Sequence, residues 1–251
     1  IILNKKLSPF WAKEYAGLDL VKDLIEQDRI GRFSDRENIP FAVFDLGFEK
    51  DHISLSEGFL DLIVPPQMNG RRTMRANHGT SVLNLLTGPE TIRATDVGTL
   101  VGLGGIAHAF QYKYYLQEME KRGVNPKVIS NSLGWNSDSI PDLVKSASEK
   151  GTLWFLAAGN FFPEPVSELE KNSEAMLVGS FAYNGLTSYE AQIDPKMVVL
   201  APANKELLTI DGEGKIYNFG ASSGATPLVS ATAINISFYL PNLKRAQMVK
   251  I

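Results

Sequence analysis

Short apolar runs alternate with helix-like segments along most of this chain. Buried parallel strands are continuous apolar runs, and their alternation with helices is typical of a parallel sheet covered on both faces. The predicted strands are 39–44, 99–103, 128–132, 153–158, 176–180 and 197–200. The predicted helices are 9–30, 78–86, 109–122, 140–150 and 227–240, and 56–76 is predicted to be irregular. Without a repeat or a linker, the sequence predicts one α/β domain over residues 1–251.

Composition excludes several classes of function. The chain has 251 residues, 44% of them hydrophobic, which is enough for a sizeable core. Its net charge of −3 does not favour binding to nucleic acid or to an anionic membrane. No apolar run approaches the roughly 18 residues that would span a bilayer. The absence of cysteine excludes disulfides, a cysteine nucleophile and cysteine-bound metals.

Two segments place a candidate catalytic side chain beside glycine. Asp45 ends the apolar run 41–44 and lies two residues before Gly47. His78 precedes Gly79 at the start of a helical pattern. Taken singly, they are a turn aspartate and a histidine at a helix start. Imidazole nevertheless titrates near neutral pH, which suits a general base.

The third segment, 218–233, has the sequence NFGASSGATPLVSATA. Proline suits the first turn of a helix, so we expect a helix to begin near Pro227 with a serine presented just before it. A helix N-terminus has free N–H groups that stabilise a developing oxyanion. Alone, the segment also fits a Gly/Ser turn. The order Asp, His, Ser, with glycine at each junction, favours a catalytic triad.

These segments resemble the motifs of the subtilase family of serine proteases, over roughly residues 9–251. The family pattern around the catalytic aspartate is matched at Asp45, Gly47, Glu49, His52 and Leu55. The other matching segments are His78–Val82, Ser132–Gly134, Ala157–Asn160, Leu200–Pro202 and Ala221–Pro227. The resemblance implies a three-layer α/β fold, with a mainly parallel central sheet and helices on both faces. It also implies a serine endopeptidase that works through an acyl-enzyme.

The resemblance also implies a role for each matching residue. Ser223 would be the nucleophile, His78 its general base, and Asp45 the carboxylate that orients the imidazole. Asn160 would donate its amide to the oxyanion, together with the backbone N–H of Ser223. The proposed substrate-binding residues are Ser132, Leu133 and Gly134, which would pair with the substrate backbone, and Ala157, Ala158 and Gly159, which would line a side-chain pocket.

Some positions depart from the family pattern. Leu46 replaces a hydroxyl residue, so we expect one hydrogen bond to Asp45 to be missing. The string 220–222 also resembles the serine motif, which leaves Ser222 as an alternative; anchoring on 225–227 favours Ser223. Trp135 replaces a small residue and is expected to crowd the substrate groove. The pair 161–162, which follows Asn160, is bulkier than the family pattern. The two remaining histidines, His52 and His108, are expected to be structural.

Several expectations concern partners and location. The predicted partners are a protein or peptide substrate and an inhibitory pro-segment. No cofactor is predicted; a structural calcium is compatible with the family, but no acidic cluster indicates one. The chain begins Ile-Ile-Leu, so we expect a trimmed N-terminus, and continuation beyond Ile251 fits the family. We expect no signal peptide within these 251 residues, and the resemblance favours a secreted or periplasmic protein.

Three alternatives remain open. Residues 102–107 match the G-x-G-x-x-A pattern of dinucleotide-binding enzymes, although such glycine runs are common. A second alternative is a scaffold or binding protein that keeps the fold but has weak or no activity. The third is a self-processing protease whose main target is its own precursor.

Overall fold

A computed structural model describes residues 11–18, 39–49, 60–63, 76–87, 99–103, 109–135, 137–188, 190–204, 207–211, 213–240, 242–248 and 250. The strands are β1 (Pro40–Phe44), β2 (Leu60–Ile63), β3 (Thr99–Leu103), β4 (Val128–Asn131), β5 (Leu153–Ala157), β6 (Met176–Phe181), β7 (Val199–Pro202), β8 (Leu208–Ile210) and β9 (Ile216–Asn218). The helices are α1 (Trp11–Tyr15), α2 (Ala76–Thr87), α3 (Ala109–Lys121), α4 (Ile140–Glu149), α5 (Glu168–Lys171), α6 (Ala221–Tyr239) and α7 (Arg245–Met248).

Seven strands form one parallel sheet in the order β2-β3-β1-β4-β5-β6-β7. In its register, Phe44 of β1 lies beside Asn131 of β4, which lies beside Leu156 of β5. The segments that follow these three strands therefore meet at one edge of the sheet. Asp45, Ser132 and Asn160 all belong to these segments.

Alternate residues of the strands enter two separate cores. Phe41 of β1 and Phe155 of β5 belong to the core on the side of α2 and α6. Phe44 and Trp154 belong to the core on the side of α3 and α4. Because both faces of the sheet are covered by helices, residues on both faces of each strand are buried, and the strands are continuous apolar runs in the sequence. The predicted three-layer α/β fold with helices on both faces is confirmed.

The C-terminal core helix does not begin where the sequence predicted. Helix α6 begins at Ala221, so Pro227 lies inside it rather than in its first turn. Because proline has no N–H, Pro227 leaves the carbonyl of Ser223, four residues earlier, without a helical donor. The hydroxyl of Ser132 donates to this carbonyl at 3.1 Å. A contact from another element therefore makes the proline acceptable within the helix.

Other boundaries also differ from the predictions. Strand β7 begins at Val199, two residues later than the predicted strand 197–200. Strand β2 lies within 56–76, the stretch that we expected to be irregular. The hairpin β8–β9 was not predicted. Of the predicted helix 9–30, the structure describes α1 and a few following residues. His52, Leu55, His108 and the glycine run after β3 lie outside the described residues.

Within the part of the chain that the structure describes, no helix has the length and apolar character to cross a membrane.

Candidate active site

Asp45 and His78 form a direct hydrogen bond. Asp45 follows β1 and is completely buried. Its Oδ1 lies 2.8 Å from Nδ1 of the partly exposed His78 ring and accepts a second hydrogen bond, at 2.7 Å, from the backbone N–H of Leu46. Its Oδ2 is buried and has no hydrogen-bond partner among the described residues, as expected from the loss of a hydroxyl at position 46. A buried carboxylate bound to Nδ1 fixes the imidazole tautomer with Nε2 as the basic nitrogen.

Gly79 lets helix α2 approach the turn after β1. A Cβ at this position would overlap the carbonyl oxygen of Gly47 and lie 3.0 Å from Cβ of Asp45. The side chain of Thr80 then accepts a hydrogen bond from the N–H of Glu49 at 2.9 Å. The glycine and the threonine that follow His78 therefore serve to hold its helix against the aspartate turn.

The hairpin β8–β9 anchors the outer side of α2. Tyr217 bonds through its hydroxyl to Ser81 at 2.5 Å, and Thr209 donates to the Ser81 carbonyl at 2.9 Å. Just after the hairpin, the ring of Phe219 lies edge-on to His78, with centroids 5.3 Å apart. This support was not predicted, because strands of three residues carry almost no periodic signal in the sequence.

Asn160 is bound to Ser222. The Oδ1 atom of Asn160 accepts from the N–H of Ser222 at 2.9 Å and from its hydroxyl at 2.8 Å. Since a backbone N–H can only donate, the atom that faces it must be the amide oxygen. The Nδ2 group makes no hydrogen bond within the described part of the chain. Asn160 is thus held by its oxygen, and its two amide donors are left for another group.

The two candidate serines lie in different environments. Ser222 is buried, and its Oγ also accepts from the N–H of Gly159 at 3.2 Å. Ser223 is partly exposed, and its Oγ lies 3.4 Å from the carbonyl oxygen of Ser132. The more accessible hydroxyl is therefore that of Ser223, at the first turn of α6.

The predicted substrate-binding residues are unequally accessible. Gly134 is exposed and Leu133 packs partly into the core, whereas Ala157 and Ala158 are buried. Gly159 is partly exposed and has a φ of +100°, which favours glycine. Of the three residues predicted to line a side-chain pocket, Ala157, Ala158 and Gly159, only Gly159 is accessible, and it lies beside Asn160.

Gln192 also supports the site and was not predicted from the sequence. Its side chain covers the α-carbon of Gly159 and would overlap any Cβ there. Its Nε2 donates to the carbonyl oxygens of Glu164 and Pro165 at 3.0 and 2.7 Å. Gln192 therefore holds the loop that follows Asn160. Nothing in the local sequence around Gln192 signals this long-range contact.

The prediction that Trp135 crowds the groove was wrong. Its indole is buried and packs edge-on against Trp154, with ring centroids 6.3 Å apart. By contrast, Phe161 and Phe162 are 70% and 57% exposed, so bulky apolar side chains do follow Asn160 on the surface.

Glu170, in helix α5, is an unexpected buried carboxylate near this edge. Its Oε1 accepts from the backbone N–H of Trp135 at 3.0 Å, and it also interacts with Ser167, the residue that caps α5. Burial raises its pKa above the ordinary value for glutamate. Among the described residues, no group of three or more acidic or histidine side chains could hold a metal ion.

Comparisons with known proteins show the family to which the chain belongs. The model of the subtilase family matches residues 37–251. The chain belongs to the subtilase family. A solved structure described as a cold adapted subtilisin-like serine proteinase is similar to this subtilase with a TM-score of 0.68 and 21% identity, covering 85% of this chain and 80% of the other. The comparison with curated proteins gave no match. As a subtilase, the protein is a serine endopeptidase acting on protein or peptide substrates.

Proposed function

We propose that this subtilase cleaves peptide bonds through a triad of Asp45, His78 and Ser223. The observation that carries the proposal is the 2.8 Å hydrogen bond between buried Asp45 and Nδ1 of His78. It leaves Nε2 to take a proton, and the carboxylate stabilises the imidazolium that results.

The chemistry proceeds in two halves. In the first, His78 takes the hydroxyl proton as Ser223 Oγ attacks the substrate carbonyl, and then gives that proton to the leaving amine. The product of this half is an ester between Ser223 and the acyl part of the substrate. In the second, His78 activates water, which hydrolyses the ester and regenerates the hydroxyl. Apart from the substrate and one water molecule, both halves use only groups of this chain, so the proposal needs no cofactor.

Ser223 is preferred to Ser222 because of their different environments. The buried Ser222 hydroxyl donates to Asn160 and accepts from Gly159, so attack by Ser222 would break both hydrogen bonds. Ser223 is partly exposed, and among the described residues its hydroxyl has only a long hydrogen bond, to the carbonyl oxygen of Ser132. We assign Ser222 to positioning Asn160.

Asn160 and the backbone N–H of Ser223 are proposed to stabilise the oxyanion. The Asn160 amide is already held by its oxygen, so little reorganisation is needed when charge develops. The segment Ser132–Gly134 is proposed to bind extended substrate as an added strand, since it follows β4 directly.

Labelling with a fluorophosphonate probe tests the proposal, because the probe modifies an activated serine irrespective of the preferred substrate. Wild type and Ser222→Ala should both be labelled at Ser223, identified by peptide mass spectrometry. Ser223→Ala should not be labelled although its circular dichroism is that of wild type. Labelling at Ser222 would show that the assignment is wrong. Folded wild type that is neither labelled nor proteolytic would favour a scaffold protein.

A further inference from the structure

We infer that Glu170 makes this subtilase select substrates with a lysine or arginine side chain before the cut bond. The inference rests on the proposed function, because it requires the segment Ser132–Gly134 to bind the substrate backbone. It adds to that function the chemical class of the preferred substrate.

The carboxylate of Glu170 lies against the end of this segment. Its Oε1 accepts a hydrogen bond from the N–H of Trp135, the next residue along the chain. A Cβ added to Gly134 would lie only 3.1 Å from the same oxygen. The exposed Gly134 therefore lies close to the Glu170 carboxylate and has no side chain of its own to separate that carboxylate from a bound substrate.

Within the part of the chain that the structure describes, no cation balances the charge of Glu170. Its residue is 8% exposed, and no lysine, arginine or histidine among the described residues pairs with it. Its carboxylate accepts a hydrogen bond from the N–H of Trp135 and interacts with Ser167. The neighbouring Glu168 differs, because it is exposed and pairs with Lys171 at 2.6 Å. Burial of an unpaired carboxylate is unfavourable, so a cationic side chain brought by the substrate would gain more here than at an exposed acid.

A purely structural role would not require the negative charge. The N–H of Trp135 needs only an acceptor, and glutamine completes a helix capping box as well as glutamate does. The replacement Glu170→Gln therefore keeps an oxygen for Trp135 and for the cap, and removes only the charge. A change in preference for charged substrates can then be separated from a loss of structure.

The test uses fluorogenic peptides that differ only in the residue before the cut bond: lysine, arginine or norleucine, which is close to lysine in size but uncharged. Wild type should have the higher kcat/KM for lysine and arginine. Glu170→Gln should lower kcat/KM for these two by about 10- to 100-fold, since hydrogen bonds between charged groups are lost, and should leave norleucine unchanged. Glu168→Gln removes a charge from the same helix and should keep the wild-type profile.

The outcomes separate this inference from the proposed function. An equal loss on all three peptides would show that Glu170 only supports the strand and would overturn the inference. Wild type that cleaves the norleucine peptide as well as the lysine peptide would also overturn it, even if Glu170→Gln did not fold. In either case, probe labelling at Ser223 would leave the proposed function standing. Folded wild type with neither labelling nor cleavage would contradict both.

Discussion

The hydroxyl of Ser132 donates a 3.1 Å hydrogen bond to the backbone carbonyl of Ser223. This carbonyl has no helical donor, because Pro227 stands four residues later. One hydrogen bond therefore joins the segment proposed to bind substrate to the residue proposed as nucleophile. It also satisfies a polar group that the helix itself cannot satisfy.

Ser132→Ala should lower the free energy of unfolding by about 1–3 kcal/mol, because it leaves a carbonyl without its donor. Urea denaturation followed by circular dichroism measures the change. Ser130→Ala is a matched control on β4, since the buried Ser130 hydroxyl has no partner among the described residues and its removal should cost little. Equal losses in the two variants would contradict a special role for the Ser132 hydroxyl.

Asn160→Ala should lower kcat by about 10²- to 10³-fold with little change in KM, the range known for loss of one oxyanion donor in a subtilisin. The physical reason is that the amide would contact the substrate oxygen strongly only when that oxygen becomes charged. Steady-state kinetics on one good peptide substrate provide the measurement. A rise in KM at constant kcat would instead assign Asn160 to ground-state binding.

Ser222→Ala should lower kcat by about fivefold to tenfold, since one hydrogen bond that orients Asn160 is lost. If Ser222 acts through Asn160, the same change should have almost no further effect in an Asn160→Ala background. The double-mutant cycle on kcat is the measurement. Independent effects that multiply would show that Ser222 does not act through Asn160.

Asp45→Asn should lower kcat by about 10⁴-fold while the fold is kept. The asparagine amide would donate to Nδ1 of His78, so the imidazole would carry its proton on Nε2 and could not accept one from serine. Single-turnover cleavage measures the loss, and circular dichroism checks the fold. Activity within tenfold of wild type would exclude Asp45 as the residue that orients His78.

Glu170→Gln should become more stable relative to wild type as the pH rises. Burial raises the pKa of Glu170 in the folded state, so the folded protein binds this proton more tightly than the unfolded chain does. At a pH below the unfolded pKa, wild type has no charge at this position. As the pH rises through the folded pKa, wild type alone takes on the buried charge and loses stability.

The thermal midpoints of both proteins, measured from acid to mildly alkaline pH, check this prediction. Glu168→Gln again serves as the control, because Lys171 lowers the pKa of Glu168. Glu168→Gln should therefore become less stable relative to wild type as the pH rises. A difference between Glu170→Gln and wild type that does not change with pH would contradict the assigned direction.

The sequence by itself determined the three-layer α/β fold. It also determined that Asp45 follows a buried strand and that His78 lies near the start of a helix. Strands such as β1 and β5 are buried on both faces, so almost every residue in them is apolar and the pattern is local. A charged residue that directly follows such an apolar run, as Asp45 does, can also be recognised from the local sequence.

Only the tertiary structure decided the remaining contacts of the site. Ser132 and Ser223 are 91 residues apart, and Glu170 and Trp135 are 35 apart. Helix α6 begins before Pro227, and the carbonyl that this proline leaves without a helical donor accepts from Ser132. Hydrogen bonds of this kind have no period along the chain, because they form where strand ends meet after the sheet has assembled.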